Sequence, residues 1–195
     1  MGPMERIKCI GVLVLALACA PLASAQWARS EVDVVEVLPA DPRLVWRGRF
    51  DRRDPSGPRC EWSGSSLVVR LRSAALNVKV SGNGNDRLQV IVDGTRREAF
   101  TPDKGVASYR VASGLPAGEH VVEIVKATEP LVGQLQFLGV SVPAGARVLP
   151  AAAPSGLKLE LAGDSITCGF GNEAPDEKHH FTPLTENNTK AYGFL

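Results

Sequence analysis

Between residues 26 and 148, short runs rich in Val, Ile and Leu recur at close spacing. They lie at 32–37, 66–72, 76–80, 88–92, 106–111, 120–126 and 135–142. Turn chemistry punctuates them: Asp54-Pro55-Ser56-Gly57-Pro58, Gly82-Asn83-Gly84-Asn85, Asp93-Gly94, Leu115-Pro116-Ala117-Gly118 and Pro143-Ala144-Gly145. Runs this short cannot close a helical apolar stripe, but each can present alternate side chains to one face of a sheet. The pattern therefore predicts an all-β sandwich over 26–150, of a size that folds on its own core.

After this stretch the composition changes. Residues 151–156 (Ala-Ala-Ala-Pro-Ser-Gly) read as a linker. The apolar run 157–162 predicts a strand, Gly163 a break, and 185–195 the opening of a helix. Strand, turn and helix begin an α/β domain, here its incomplete start over 157–195. A lone strand of that kind leaves its ladder groups unpaired, so 151–195 is expected to be loose or docked only opportunistically.

The N-terminus reads as a processing segment. Arg6 and Lys8 supply a positive region, residues 10–17 an apolar one, and Ala23-Ser24-Ala25 a small-residue cleavage site, giving a signal peptide over 1–25. Export follows as the expectation, secreted or periplasmic, with no membrane partner after cleavage; a lipoprotein reading through Cys19 has a poor consensus before it. The part after residue 25 carries as many basic as acidic side chains, 20 of each. Nucleic-acid binders concentrate basic charge, so that class is disfavoured. Cys60 and Cys168 remain after cleavage, either paired or as two separate buried thiols.

The candidate chemistry lies at Gly163-Asp164-Ser165-Ile166-Thr167. A serine hydroxyl becomes a nucleophile only with a base in hydrogen-bond reach and donors aimed at the oxyanion. A tight turn after an apolar run can expose the hydroxyl of Ser165 and offer its own backbone N–H as one such donor. The pattern is not the Gly-x-Ser-x-Gly elbow, because Ala162 and Thr167 stand in the wrong places. As alternatives, Ser165 could serve as a helix cap and Asp164 could make an Asx-type bond.

The block 163–167 resembles the first signature of the SGNH (GDSL-like) hydrolases. The longer string 163–173, with Phe181-Thr182-Pro183, Glu186-Asn187 and Ala191-Tyr192-Gly193, is similar to the carbohydrate esterases of family 2. Gly48-Arg49-Phe50, Glu61-Trp62-Ser63-Gly64-Ser65, Val90-Ile91-Val92-Asp93-Gly94 and Val125-Lys126-Ala127-Thr128-Glu129 resemble stretches of that family's N-terminal domain. The resemblance implies a jelly-roll-like sandwich before an SGNH domain, a secreted serine esterase, and an acetylated plant polysaccharide or oligosaccharide such as xylan or glucomannan as substrate. It carries over only Ser165, as nucleophile and one oxyanion donor. The family's further oxyanion donors and its histidine base lie in later blocks that these 195 residues do not contain, so negligible esterase activity is expected of this chain alone. A non-catalytic carbohydrate-binding module with a relic hydrolase start is the alternative.

Other tempting residues have plainer readings. His179 and His180 sit in a polar loop, and Cys168 is expected to pack inside the helical turn. Trp46 and Trp62 are expected in the core rather than as a sugar platform. Gly82-Asn83-Gly84-Asn85 reads as a hairpin turn. Glu173, Asp176 and Glu177 lack the partners of a metal site. Neither a metal nor another cofactor is implied, and the oligomeric state is not readable.

Overall fold

The protein is described here by a computed structural model over residues 33–152 and 159–194. The expected leader lies outside the described residues. Among them, eleven strands form two antiparallel sheets. These strands are β1 (Val34–Val37), β2 (Val45–Arg47), β3 (Arg59–Cys60), β4 (Ser66–Arg72), β5 (Leu76–Gly82) and β6 (Leu88–Val92). β7 (Thr95–Arg96), β8 (Gly105–Ala112), β9 (His120–Lys126), β10 (Leu135–Pro143) and β11 (Arg147–Leu149) complete them. No helix among the described residues is long and apolar enough to cross a membrane.

One sheet runs β1-β10-β5-β8, with β3 paired to the start of β10. The other runs β11-β4-β9-β6-β7, with β2 paired to the start of β4. From β4 onward the longer strands alternate between sheets, so that each connection crosses the sandwich. This arrangement is the sandwich that the apolar runs predict, with the jelly-roll-like form that the resemblance implies. Crossing also explains a correction: the Gly82–Asn85 region joins β5 to β6 in opposite sheets and is not a hairpin turn. There the Asn83 Oδ1 accepts the Asn85 and Asp86 amides at 2.8 and 2.9 Å, while its Nδ2 donates to the Val132 carbonyl at 2.9 Å. The true two-residue hairpin is Asp93-Gly94 between β6 and β7, where both residues take positive φ as a type I′ turn demands.

The core fills by strand alternation. Leu67, Val69 and Leu71 of β4, beside Val122 and Ile124 of β9, pack in one core with Leu76, Val78 and Val80 of β5, beside Leu135 and Phe137 of β10, all fully buried. Phe137 is enclosed by Trp46 and Phe50 at centroid distances of 5.6 and 6.2 Å. Trp46 is thus a core residue as expected. Trp62 is not: it is 52% exposed with the Arg49 guanidinium over its ring.

The region after the sandwich departs from expectation in two elements. Residues 159–162 form no strand, and Leu159 and Leu161 are exposed, because no parallel neighbour exists among the described residues to complete a ladder. Instead of one helix over 185–195 there are single 3-10 turns at Pro183–Thr185, Asn188–Lys190 and Tyr192–Phe194, each too short to continue. The segment 165–194 docks on the sandwich through specific contacts. Gln89 and Val125, which register pairs opposite each other on the outer face of the second sheet, are buried beneath it.

Candidate active site

Gly163 permits the approach to a one-turn helix, α1 (Ser165–Cys168): a Cβ at this position would come within 2.0 Å of the Thr167 hydroxyl. Asp164 caps α1, its Oδ1 accepting the Ile166 amide at 3.0 Å and its carbonyl accepting the Thr167 amide at 3.0 Å. The Asx-type bond is therefore present, and the cap is Asp164 rather than Ser165. Ser165 is the first helical residue and is exposed. Among the described residues, neither its hydroxyl nor its N–H has a hydrogen-bond partner. The turn closes on Gly169, which has a φ of +84° and lies so close to the Asn187 carbonyl that a Cβ would meet it at 2.7 Å.

What holds this turn is the sandwich. Asn188 donates its backbone N–H to the Ala127 carbonyl at the end of β9 (2.9 Å) and its Nδ2 to the Thr167 carbonyl of α1 (3.0 Å). A single residue, through its backbone on one side and its side chain on the other, thus joins the sheet to the candidate nucleophile's helix. Asn187 reaches Gln89 of β6 with its Nδ2 (3.1 Å), and its Oδ1 caps the Thr189 amide and hydroxyl. Asn172 brackets Asn187, accepting its amide at 3.1 Å and donating to its carbonyl at 2.9 Å. Arg87 pairs with Glu173 and donates to the Leu184 carbonyl at 2.7 Å, while Arg96 donates to the Thr189 carbonyl. Burial acts to raise the Glu173 carboxyl, but hydrogen bonds from Lys190 and Arg87 outweigh it and hold the group below its ordinary value.

Beneath α1 the junction is polar and buried. Lys126 and Asp86 form a fully buried ion pair (2.8 Å), with Lys126 Nζ also donating to the Thr128 carbonyl at 2.8 Å and the Thr128 hydroxyl donating to Asp86 at 2.9 Å. That knot fixes the 127–129 corner, whose Glu129 amide donates to Glu186 Oε1 at 2.9 Å. Glu186 is completely buried, and its second oxygen has no partner. Burial pushes its carboxyl up to about 7.

The Cys168 thiol donates to the Ser165 carbonyl (3.2 Å) and lies 3.8 Å from Glu129 Oε2. Burial raises it to about 12, which makes it a packing residue and not a second nucleophile. Cys60 is likewise a separate buried thiol. Ligand atoms of Glu129, Cys168 and Glu186 lie within 4.8 Å of one another. A thiol raised by burial, the absence of histidine and the Lys126 amine bonded to the neighbouring Glu129 carbonyl make this cluster a poor cation cage.

None of the chain's histidines hydrogen-bonds Ser165. His179 and His180 are exposed in the loop as expected, and His120 is committed to Asp93 (2.7 Å) and the Pro116 carbonyl (2.9 Å). Those two hydrogen bonds favour its charged form. Glu173 of the dismissed acidic trio is an ion-pair partner. The residues that sequence reasoning gave no role are Arg87, Gln89, Asn187 and Asn188, whose bonds that tie the segment together and to the sheet include spans of 14 to 99 positions. The one available signal was the string Glu186-Asn187, which stood out only by resemblance.

The family profile described as "Carbohydrate esterase 2 N-terminal" matches residues 46–152. The cellulase/esterase CelE of Acetivibrio thermocellus is 37% identical over 155 residues, covering 80% of this chain and 19% of that protein. An acetylxylan esterase/glucomannan deacetylase of Cellvibrio japonicus is 28% identical over 134 residues, covering 68% of this chain and 37% of the relative. A family two carbohydrate esterase from Clostridium thermocellum, solved in complex with cellohexaose, superimposes with a TM-score of 0.73 at 36% identity, covering 77% of this chain and 46% of that one. The chain thus spans less than half the length of each of these proteins.

Proposed function

This chain belongs to carbohydrate esterase family 2, and from that membership we propose that it is the N-terminal portion of an exported serine esterase that removes acetyl groups from a plant polysaccharide such as xylan or glucomannan. Ser165 is the nucleophile in this reading. The single observation that carries it is that Ser165 is exposed, its hydroxyl and N–H without a hydrogen-bond partner among the described residues, on a turn that the sandwich holds through Asn188.

The chemistry follows from those groups. The Ser165 oxygen attacks the acetyl carbonyl carbon while a base outside these residues takes its proton. The carbonyl oxygen becomes an oxyanion that accepts from the Ser165 N–H, and the sugar hydroxyl departs with a returned proton. Water then hydrolyses the acetyl-serine and releases acetate. Export rests on the basic, apolar and Ala-Ser-Ala pattern of residues 1–25.

The test has two arms. The chain alone should hydrolyse 4-nitrophenyl acetate at background. Joined to the remainder of a family hydrolase domain that supplies a histidine base, it should deacetylate xylan, with Ser165→Ala lowering kcat by about 10⁶-fold. Full activity of the Ser165→Ala enzyme would overturn the assignment. The binding-module alternative predicts instead that this chain is retained on acetylated mannan or xylan while the joined enzyme stays inactive.

A further inference from the structure

The Glu186 carboxyl joins the sandwich to the turn of Ser165. It is completely buried, with Oε1 accepting the Glu129 amide at 2.9 Å and Oε2 without a partner among the described residues. Cys168 meets both glutamates there: its Sγ and one oxygen of each lie within 4.8 Å of one another. Cys168 is the last residue of α1 and its one buried residue, and its thiol donates to the Ser165 carbonyl at 3.2 Å. The side-chain packing of α1 on the sandwich therefore passes through this cluster.

The charges around Glu186 work against one another. Glu129 on the 127–129 corner repels an ionised Glu186, while Lys126 attracts it. That attraction is divided. Lys126 Nζ already lies 2.8 Å from Asp86 Oδ1 and from the Thr128 carbonyl, and 3.3 Å from the Thr128 hydroxyl and the Glu129 carbonyl. Arg87 pairs with Glu173 and donates to the Glu186 backbone carbonyl at 3.3 Å, so its hydrogen bonds go elsewhere than the Glu186 carboxyl. An ionised Glu186 is thus a buried charge with one hydrogen bond, whereas the neutral acid leaves only an unpartnered hydroxyl. Burial accordingly raises the carboxyl to about 7.

A one-turn helix has little stability of its own, so α1 is the element that responds when this contact weakens. We propose that Glu186 is a positioning residue for Ser165: as the neutral acid it lets Cys168 pack on the sandwich and so holds α1, and its ionisation draws water into the cluster and releases the turn. The only chemical step is transfer of the Glu186 proton to solvent. The bearing on catalysis rests on Ser165 as the nucleophile, but the latch itself is a property of the chain.

The test is amide exchange of the full chain by NMR at about pH 5.5 and about pH 8.5, expressed as protection relative to the intrinsic rate at each pH. Gly169 and Phe170 donate to the Ile166 and Ser165 carbonyls, and their protection should fall by more than about tenfold across that range. The fall should be larger there than at Val122 and Ile124 of β9. Glu186→Gln cannot ionise and should keep the turn protected at both values, whereas Glu186→Ala should leave it unprotected at both. His179→Asn combined with His180→Asn, in the exposed loop, should leave the pH response in place. A parent turn indifferent to pH, a response that survives Glu186→Gln, or an equal fall in β9 would overturn the proposal. The readout uses no substrate, which keeps it apart from the esterase reading. A flat response removes the latch and leaves Ser165 as the nucleophile; a joined enzyme indifferent to Ser165→Ala removes the nucleophile and leaves the latch.

Discussion

Glu186 shows how a single side chain records the docking of the C-terminal segment. Its carboxyl is raised from an ordinary 4.5 to about 7 by burial, so between those values the folded state binds more protons than the unfolded one. Stability from this group is therefore highest below about 4.5 and falls as the pH rises through about 7. Glu186→Gln keeps the acceptor for the Glu129 amide and removes the charge. We expect the variant to match the parent in acid and to exceed it by about 1 kcal/mol near pH 8, read from urea midpoints. The buried Lys126–Asp86 pair sets the opposite case. Lys126→Met should cost about 3 kcal/mol because Asp86 is left as an uncompensated buried charge, and Lys126→Met with Asp86→Leu should recover most of it.

At the scale of elements, α1 is a single turn and cannot be stable by itself. Its persistence depends on caps at both ends and on the Asn188 bridge to β9. Asn188→Ala should cost about 1 kcal/mol, the usual loss for one hydrogen bond. The informative readout is local. Amide exchange at Gly169 and Phe170, which donate within the turn, should accelerate, while Val122 and Ile124 in β9 keep their protection. Equal acceleration in both places would mean that Asn188 supports the whole fold rather than the turn.

Across the whole molecule, the segment after residue 158 is part of the sandwich's outer layer and not a trailing fragment. Arg87, Arg96, Gln89 and the 127–129 corner all reach it from the sheet. Ordering a segment costs about 1–2 kcal/mol per residue in backbone entropy, and burial of Val125, Ala127, Thr185 and Thr189 together with this polar network offsets it. Thermal unfolding should therefore be one transition, with α1 amides and β9 amides melting together. Two separated transitions would show that the junction is weaker than its hydrogen bonds suggest. The sandwich thus carries the turn of the candidate nucleophile directly.

The β-sandwich was legible from sequence because strand alternation and turn chemistry are local properties, and the observed strands fall close to the apolar runs. The Ser165 turn was legible for the same reason: a cap and a glycine stop lie within a few residues of it. Three features were not. The crossing at 82–88 reads locally like a hairpin, and only the pairing of β5 and β6 with other strands shows that it changes sheets. The run 157–162 has strand composition, but a strand requires a neighbour that composition cannot supply. The polar docking of α1 depends on side chains such as Gln89 and Asn187, 98 residues apart, meeting through the folded chain. Periodicity determines which face a residue takes, whereas tertiary structure decides what stands opposite that face, because long-range partners leave no mark on the residues between them.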